Sequence, residues 1–386
     1  MSAIPDDSQI ALALYQQRAG LTDQNVQPGI EGLHLPMLGL FGEVGGLLSE
    51  LKKKQRDKDS YVGYQDSVIE EFGDTLWYFT NICARAGLTL DLLAQRAIGA
   101  RAATPHSFAD LQLVEVGSEQ HSVSSIERRA LDLAAKTGVL LQHFSVKSID
   151  RGLDLLTADL TEILVALIQA ADHAGISLDD AARRNLRKIS SRWPTDRQFP
   201  AFFDTGVPAE EQLPRVLKVE IQEKVYGSRV FVMQQVNGVN IGDRLTDNIG
   251  EPDDYRFHDV FHWSYAAILG WSPVTRALLR LKRKSSAVLD ENEDGARAQL
   301  IEEGTATWIF NHGRRLNFYE NIPSVDYRLL KSIQDFVRGY EVERCALWLW
   351  EEAILQGFRA FRFLKQNRKG VLALDLNARK VSIAPL

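Results

Sequence analysis

The sequence predicts a mainly α protein: an N-terminal helical bundle made from two tandem copies of one unit, followed by a C-terminal α+β domain that is mostly helical. Three observations predict it. Apolar residues recur at three- and four-residue steps from about residue 8 to 193, as in Leu40, Val44, Leu47, Leu48 and Leu51, the spacing of a helix with one buried face. The stretch from Glu70 resembles the stretch from Ala158. From Pro194 onward, prolines and alternating apolar and polar residues replace the helical pattern, which marks a linker and then strands. The 386 residues suit two or three domains. Hydrophobic residues at 45% and charged residues at 25% are those of an ordinary globular protein. A net charge of −6 argues against salt-driven nucleic-acid binding.

In chain order, a first copy spans residues 1–105 and a second 106–195. A linker covers 196–213, and the C-terminal domain 214–386. In the first copy, Ile69, Phe72, Leu76, Phe79 and Ile82 continue the helical pattern, and the charged stretch Lys52–Ser60 predicts a loop before them. His106–Ser125 predicts an irregular connection. The turn Gly87-Leu88-Thr89-Leu90-Asp91 aligns with Gly175-Ile176-Ser177-Leu178-Asp179 at an offset of 88. Gly45, Leu47 and Leu48 align with Gly138, Leu140 and Leu141 at an offset of 93. Two such helical hairpins bury each other's apolar stripes. Pro194, Pro200, Pro208 and Pro214 punctuate the linker. VLKVEIQEKV and RVFVMQQVNGVNIGDRL read as strands, with Asn237-Gly238 as a hairpin turn. Helices resume near Phe257 and run to about Asn367, and a last hairpin turns at Asn377-Ala378. Trp348, Trp350, Phe358, Phe361 and Phe363 are expected in a core or interface. Cys83 and Cys345 lie on apolar helix faces, as small hydrophobes in a reducing compartment.

Acids stand on the helices of the first copy. Glu71 and Asp74 are three residues apart, Glu43 and Glu50 seven apart, and each pair shares one helical face. Like charges about 5 Å apart repel by roughly 3 kcal/mol per pair at an effective dielectric near 20. A close cluster of such acids therefore needs a cation, and an all-oxygen ligand set favours Mg²⁺ or Mn²⁺. Solvated acidic faces on two unrelated helices are the alternative.

Glu43-Val44-Gly45, followed by Glu70-Glu71-Phe72-Gly73-Asp74, resembles the MazG-type all-α NTP pyrophosphohydrolases, whose signature is E-x-x-E, a spacer, then E-x-x-D. Tyr15-Gln16 and Thr22 resemble the family's N-terminal stretch. The resemblance covers residues of about 10–105, and about 125–195 more weakly. It implies that Glu43, Glu71 and Asp74 are catalytic and ligate Mg²⁺, which binds the triphosphate and activates water, giving a nucleoside monophosphate and pyrophosphate. One position departs: the second Glu of E-x-x-E is Gly46 here, which cannot ligate a metal. Either a ligand is missing or Glu50, one turn further on, replaces it.

In the second copy, Lys136 aligns with Glu43, while Asp159 and Glu162 keep two acids. Asn185, Lys188 and Arg192 form one helical stripe at i, i+3 and i+7. They resemble the family's N-x-x-K-x-x-x-R end, which meets nucleotide phosphates; the first copy has Ala97, Ala100 and Thr104 there. One composite site is expected, with metal from Glu43, Glu50, Glu71 and Asp74, and substrate contacts from Asn185, Lys188 and Arg192. A solvated helix end, where cations suit the dipole, is the alternative. No G-x-x-x-x-G-K-[ST] loop occurs in the sequence.

In the C-terminal domain, His258 and His262 stand one helical turn apart, with Glu302-Glu303 downstream. His258, His262 and Glu303 form a candidate second site for Zn²⁺ or Fe²⁺. His258-Asp259 also suggests an HD-type phosphohydrolase, but the region lacks the upstream histidine of that family. A buried histidine pair hydrogen-bonded to carboxylates is the alternative. The basic run Arg280–Ser285, before Asp290–Asp294, is expected to be a solvated loop, with a phosphate patch as the sharper option. The region resembles the C-terminal extension of some MazG-type proteins.

The expected function is Mg²⁺-dependent hydrolysis of nucleoside triphosphates, including non-standard or damaged ones. A nucleotide-sensing protein with weakened catalysis, or a second hydrolase in the C-terminal domain, are the alternatives. A homodimer, a cytoplasmic location, no membrane span and no nucleic-acid partner are expected.

Overall fold

The structure is a computed structural model that describes residues 9–24, 27, 29–99, 104–112, 122–144 and 152–386. It divides into two compact units, residues 1–196 and 197–386. Each has its own buried apolar core. The fold is mainly α, with one small antiparallel sheet in the second unit.

The first unit contains α1 (Leu12–Gly20), α2 (His34–Asp57), α3 (Tyr64–Arg85), α4 (Leu90–Ile98), α5 (Val123–His143), α6 (Leu153–Ala174) and α7 (Leu178–Arg192). The apolar stripe of α3, with Phe72, Leu76, Phe79 and Ile82, is buried. The loop expected over Lys52–Ser60 is instead helix: α2 continues to Asp57 and ends in one 3-10 turn, Lys58–Ser60. Charge on a solvent face does not end a helix, and Lys54 and Arg56 in the last turn suit the dipole. The connection expected over His106–Ser125 contains a 3-10 turn at Ala109–Leu111 and the start of α5; its residues 113–121 lie outside the described residues, as does Ala100.

Helix α2 packs on α3 and α5, and α5 on α6. Helix α3 packs on α7, and α4 on α6, so α3 and α6 each carry the short helix of the other half. The same clamp occurs twice. Gln16 accepts a hydrogen bond from the Leu90 N–H and donates one to the Leu88 carbonyl, both at 2.8 Å. Gln112 accepts from the Leu178 N–H at 2.7 Å and donates to the Ile176 carbonyl at 2.9 Å. Each clamped turn ends in a hydroxyl cap: Thr89 accepts from the Leu92 N–H and Ser177 from the Asp180 N–H, satisfying donors that a helix start leaves open. Gly73 sets the approach of α3 to α7. A Cβ there would lie 2.8 Å from the Ala181 carbonyl oxygen and 2.9 Å from Asn185 Cβ.

In the second unit, β1 (Val216–Tyr226), β2 (Arg229–Val236), β3 (Val239–Leu245), β4 (Lys369–Asp375) and β5 (Lys380–Ala384) form a sheet in the order β3-β2-β1-β4-β5. All its pairs are antiparallel, and Val219 of β1 stands opposite Leu372 of β4. Asn237 and Gly238 both have positive φ, 52° and 76°, as a two-residue hairpin of matching twist requires. The helices are α8 (Asp259–Ile268), α9 (Pro273–Leu279), α10 (Ala296–Arg314), α11 (Tyr327–Phe336) and α12 (Leu347–Asn367). Helices α8 and α12 pack together and on β4 and β5. Trp350, Phe358 and Phe361 are buried in this core, and Cys83 and Cys345 are buried free thiols.

The basic run corrects its expectation. Arg283 is wholly buried, with Nη2 2.8 Å from Asp294 and 2.7 Å from Glu341. Ion pairs with fixed acids, not solvent, compensate its charge. Lys284, by contrast, stays exposed. No helix among the described residues is long and apolar enough to cross a membrane.

Candidate functional site

Helices α2, α3 and α7 bring the acids of the first half beside the cations of the second. Asp74 on α3 accepts a hydrogen bond from Asn185 Nδ2 at 2.9 Å and an ion pair from Lys188 on α7. Lys188 Nζ also reaches Glu70 Oε1 at 2.9 Å. Tyr15, from α1, donates its hydroxyl to Asn185 Oδ1 at 3.0 Å, which orients the amide so that its NH₂ faces Asp74. The close approach at Gly73 makes these contacts possible.

Glu43 and Glu71 meet across α2 and α3. Glu71 donates a carboxyl proton to Glu43. Burial first, then the charge of Glu43, pushes the Glu71 carboxyl up to about 8. Burial also raises Glu43, with the Asp74 charge adding to it. Glu71 Oε2 is buried and has no hydrogen-bond partner. Gly46 makes room for it: a Cβ at that position would overlap Oε2 outright and lie 2.7 Å from Glu71 Cδ. The residue that lacks a carboxylate thus houses one from the next helix.

Glu50 turns elsewhere. Buried on α2, it accepts the Tyr61 hydroxyl and an ion pair from Lys53. Asp74 is likewise engaged by Lys188 and Asn185. Glu43, Glu50, Glu71 and Asp74 do not, among the described residues, form a group of three ligand atoms within 4.8 Å of one another. Repulsion disperses acids that have protein cations within reach. Glu43 and Glu71 are the pair left to share a proton. Their donor set suits a hard divalent ion: carboxylate oxygens only, with one buried oxygen lacking a partner. Arg192 stacks its guanidinium on Trp193, 5.0 Å from the ring centre.

The matching positions of the second half are neutralised from within. Lys136 pairs with Glu162 at 2.8 Å, and His143 with Asp159 at 2.7 Å. His143 aligns with Glu50 at the offset of 93 that also relates Gly45 to Gly138. That offset is a signal that could have found His143; Tyr15 stood in the stretch that resembles the family's N-terminus, with no role given to it, and nothing in the sequence pointed to Tyr61.

In the second unit, His258 and His262 on α8 face Glu303 on α10. The Glu303 Oε2 atom lies 3.5 Å from His258 Nε2 and 3.3 Å from His262 Nε2. Asp259 Oδ1 is 3.2 Å from His258 Nε2. The far nitrogens are held: His262 Nδ1 by Glu302 at 2.8 Å, His258 Nδ1 by the Tyr255 carbonyl at 2.9 Å. Glu302 also accepts from Ser272 Oγ and the Val274 N–H. Burial works against the imidazolium of His262, but Glu302 and then Glu303 outweigh it and hold that ring well above its ordinary value. Both histidines depress the Glu303 carboxyl against the opposing effect of burial.

Residues 198–386 match the family model described as the MazG C-terminal domain. The chain is also similar to Gene 37 protein of Mycobacterium phage L5, 33% identical over 91 residues, which is 22% of this chain and 78% of that protein. No solved structure matches it.

Proposed function

Because the chain belongs to the MazG family, we propose that it is a nucleoside triphosphate pyrophosphohydrolase whose site is the Glu43–Glu71 pair with Asp74, Asn185 and Lys188. The observation that carries this reading is the carboxyl pair itself. Glu71, pushed up to about 8 by burial and by Glu43, seats one buried, unpartnered oxygen in the gap at Gly46, while Asp74 on the same helix meets a lysine and an asparagine from the opposite half of the bundle. Buried polar atoms without partners are rare in native proteins and call for an explanation. The substrate class comes from the family; non-standard or damaged nucleotides are the finer part of the proposal.

Glu43 and Glu71 would hold Mg²⁺, or Mn²⁺, with Asp74 and Glu50 as further oxygens within reach of the ion's charge. When bound, the ion supplies charge neutralisation for the triphosphate and a water of lowered pKa. The chain's own residues do the rest. Glu71 gives up the proton it shares with Glu43 and, once ionised, is placed to accept one from an attacking water. Asn185 fixes one oxygen of Asp74 and Lys188 the other, so that carboxylate keeps a single orientation. Lys188 and Arg192 bring positive charge from α7 toward the phosphates. The products would be a nucleoside monophosphate and pyrophosphate.

A nucleotide-sensing protein with weakened catalysis is the second reading. Gly46 favours it, since it offers no donor where the family pattern has an acid. Pyrophosphate release from a panel of nucleoside triphosphates with Mg²⁺, beside Glu71→Ala, separates the two. Release by the wild type and its loss in Glu71→Ala supports the hydrolase. Nucleotide binding without release by the wild type overturns it in favour of the sensor.

A further inference from the structure

We propose that His258, His262 and Glu303 are three ligands of a first-row divalent ion of the zinc class, in a site of the second unit distinct from the carboxylates on α2 and α3. Four features carry this, beginning with convergence. Both Nε2 atoms face the same Glu303 oxygen, at 3.5 and 3.3 Å. Two donors on a tetrahedral zinc, each about 2.0–2.1 Å from the metal, stand about 3.3–3.4 Å apart. The separations are those of ligand edges, longer than the usual N–H···O distance of about 2.9 Å.

Aim is the second feature. His262 is wholly buried, yet its Nε2 has no hydrogen-bond partner. Its approach to the Glu303 oxygen, 3.3 Å, is longer than an ordinary hydrogen bond and leaves room for an ion between the two. The third feature is the outer support. Each ring donates Nδ1–H to a fixed acceptor, Glu302 for His262 and the Tyr255 carbonyl for His258. Nε2 is thus the nitrogen that each ring presents to the ion, which displaces any proton held there, and metal-bound histidines are held in this way. Glu302 is itself pinned by Ser272 and Val274, and Tyr255 stacks flat on His258 with ring centres 4.1 Å apart. Both rings are therefore set before any ligand arrives.

The fourth feature is the mixed nitrogen and oxygen donor set. Two imidazoles and a carboxylate suit zinc, manganese or iron, whereas Mg²⁺ prefers oxygen alone. Three protein ligands leave a position for water, the arrangement of catalytic rather than structural zinc sites. The Glu303 side chain is 43% exposed, so solvent reaches the cluster from that side. Asp259 Oδ1, 3.2 Å from His258 Nε2, is a fourth donor at the rim.

The test is Zn²⁺ titration of the full chain, stripped with a chelator and kept in millimolar Mg²⁺, against a chromophoric competitor. Mg²⁺ occupies the carboxylate pair, and Glu71→Ala serves as a control, so failure of the pyrophosphohydrolase reading leaves the result unaffected. One equivalent of Zn²⁺ is expected in wild type and in Glu71→Ala. Affinity is expected to fall by about 100-fold or more in Glu303→Gln and His262→Ala, and by about 10- to 100-fold in Glu302→Gln, which acts through His262. Co²⁺ bound to the wild type is expected to show the intense visible bands of a four- or five-coordinate ion. If His262→Ala does not fold, Glu303→Gln decides, since its side chain is half exposed. No zinc bound by wild type at micromolar concentration, or wild-type affinity in Glu303→Gln, overturns the proposal.

Discussion

Gly46→Ala separates the carboxyl pair from the stability of the helix that carries it. Gly46 lies inside α2, with the Glu71 carboxyl seated against it. A methyl at this position would lie 2.7 Å from Glu71 Cδ, whereas ordinary contact begins at 3.4 Å. Glu71 Cδ must therefore retreat by at least 0.7 Å, the difference of those two distances, and Oε2 by more. Misplacement on the order of 1 Å costs about 100-fold in rate at a preorganised site. In the helix, alanine is favoured over glycine by about 1 kcal/mol. The expected variant loses about 10- to 100-fold in pyrophosphate release and binds Mg²⁺ more weakly, while its thermal midpoint holds or rises. The assays are kcat/KM at saturating Mg²⁺, calorimetric Mg²⁺ titration, and thermal unfolding. A shorter acid should help: Gly46→Ala with Glu71→Asp recovers part of the loss, which a folding defect would not allow. Activity and Mg²⁺ affinity both within twofold of wild type would refute the reasoning.

Three further outcomes follow from the charges described above. Mg²⁺ binding at pH 7 should release about one proton, because Glu71 holds one up to about 8 and a ligating carboxylate must shed it; calorimetry in buffers of different ionisation enthalpy reads this, and Glu71→Gln should abolish it. The same raised group contributes stability that is full below its ordinary value of 4.5 and is lost as pH rises through about 8; thermal midpoints between pH 6 and 9 should fall less steeply in Glu71→Gln. In the second unit, Asp294→Ala leaves Arg283 buried with Glu341 as its remaining acid, and removing one partner of a buried pair costs about 3–5 kcal/mol; chemical denaturation of the full chain should show an earlier transition.

Periodicity made the helices legible, because it reports which face of a segment is buried. Alternation and the Asn237-Gly238 turn did the same for the strands. What periodicity does not report is which partner a side chain chooses across a helix pair. Glu50 stands on the expected face, yet Tyr61 and Lys53 take it. Arg283 sits in a basic run that reads as solvated, yet Asp294 and Glu341, the latter far along the chain, bury it. Gly46 read as a lost donor, and the structure gives it a steric role instead, as the gap that receives Glu71. The stripe of Asn185 and Lys188 was legible from spacing. Its meeting with Asp74 depends on Gly73, whose significance lies in the backbone of another helix and leaves no pattern of its own.

The proton between Glu43 and Glu71 bears on how the chain comes to be folded at all. In small metal-dependent domains, ion binding and folding are one event, and the apo chain is unstructured. Here the second half meets its acids with Lys136 and His143, and the first half closes its own pair around a hydrogen. Every acid of the bundle discussed here therefore has a partner that the solvent or the chain itself supplies. On the proposed function, loading would be a later exchange of the proton on Glu71 for a divalent ion.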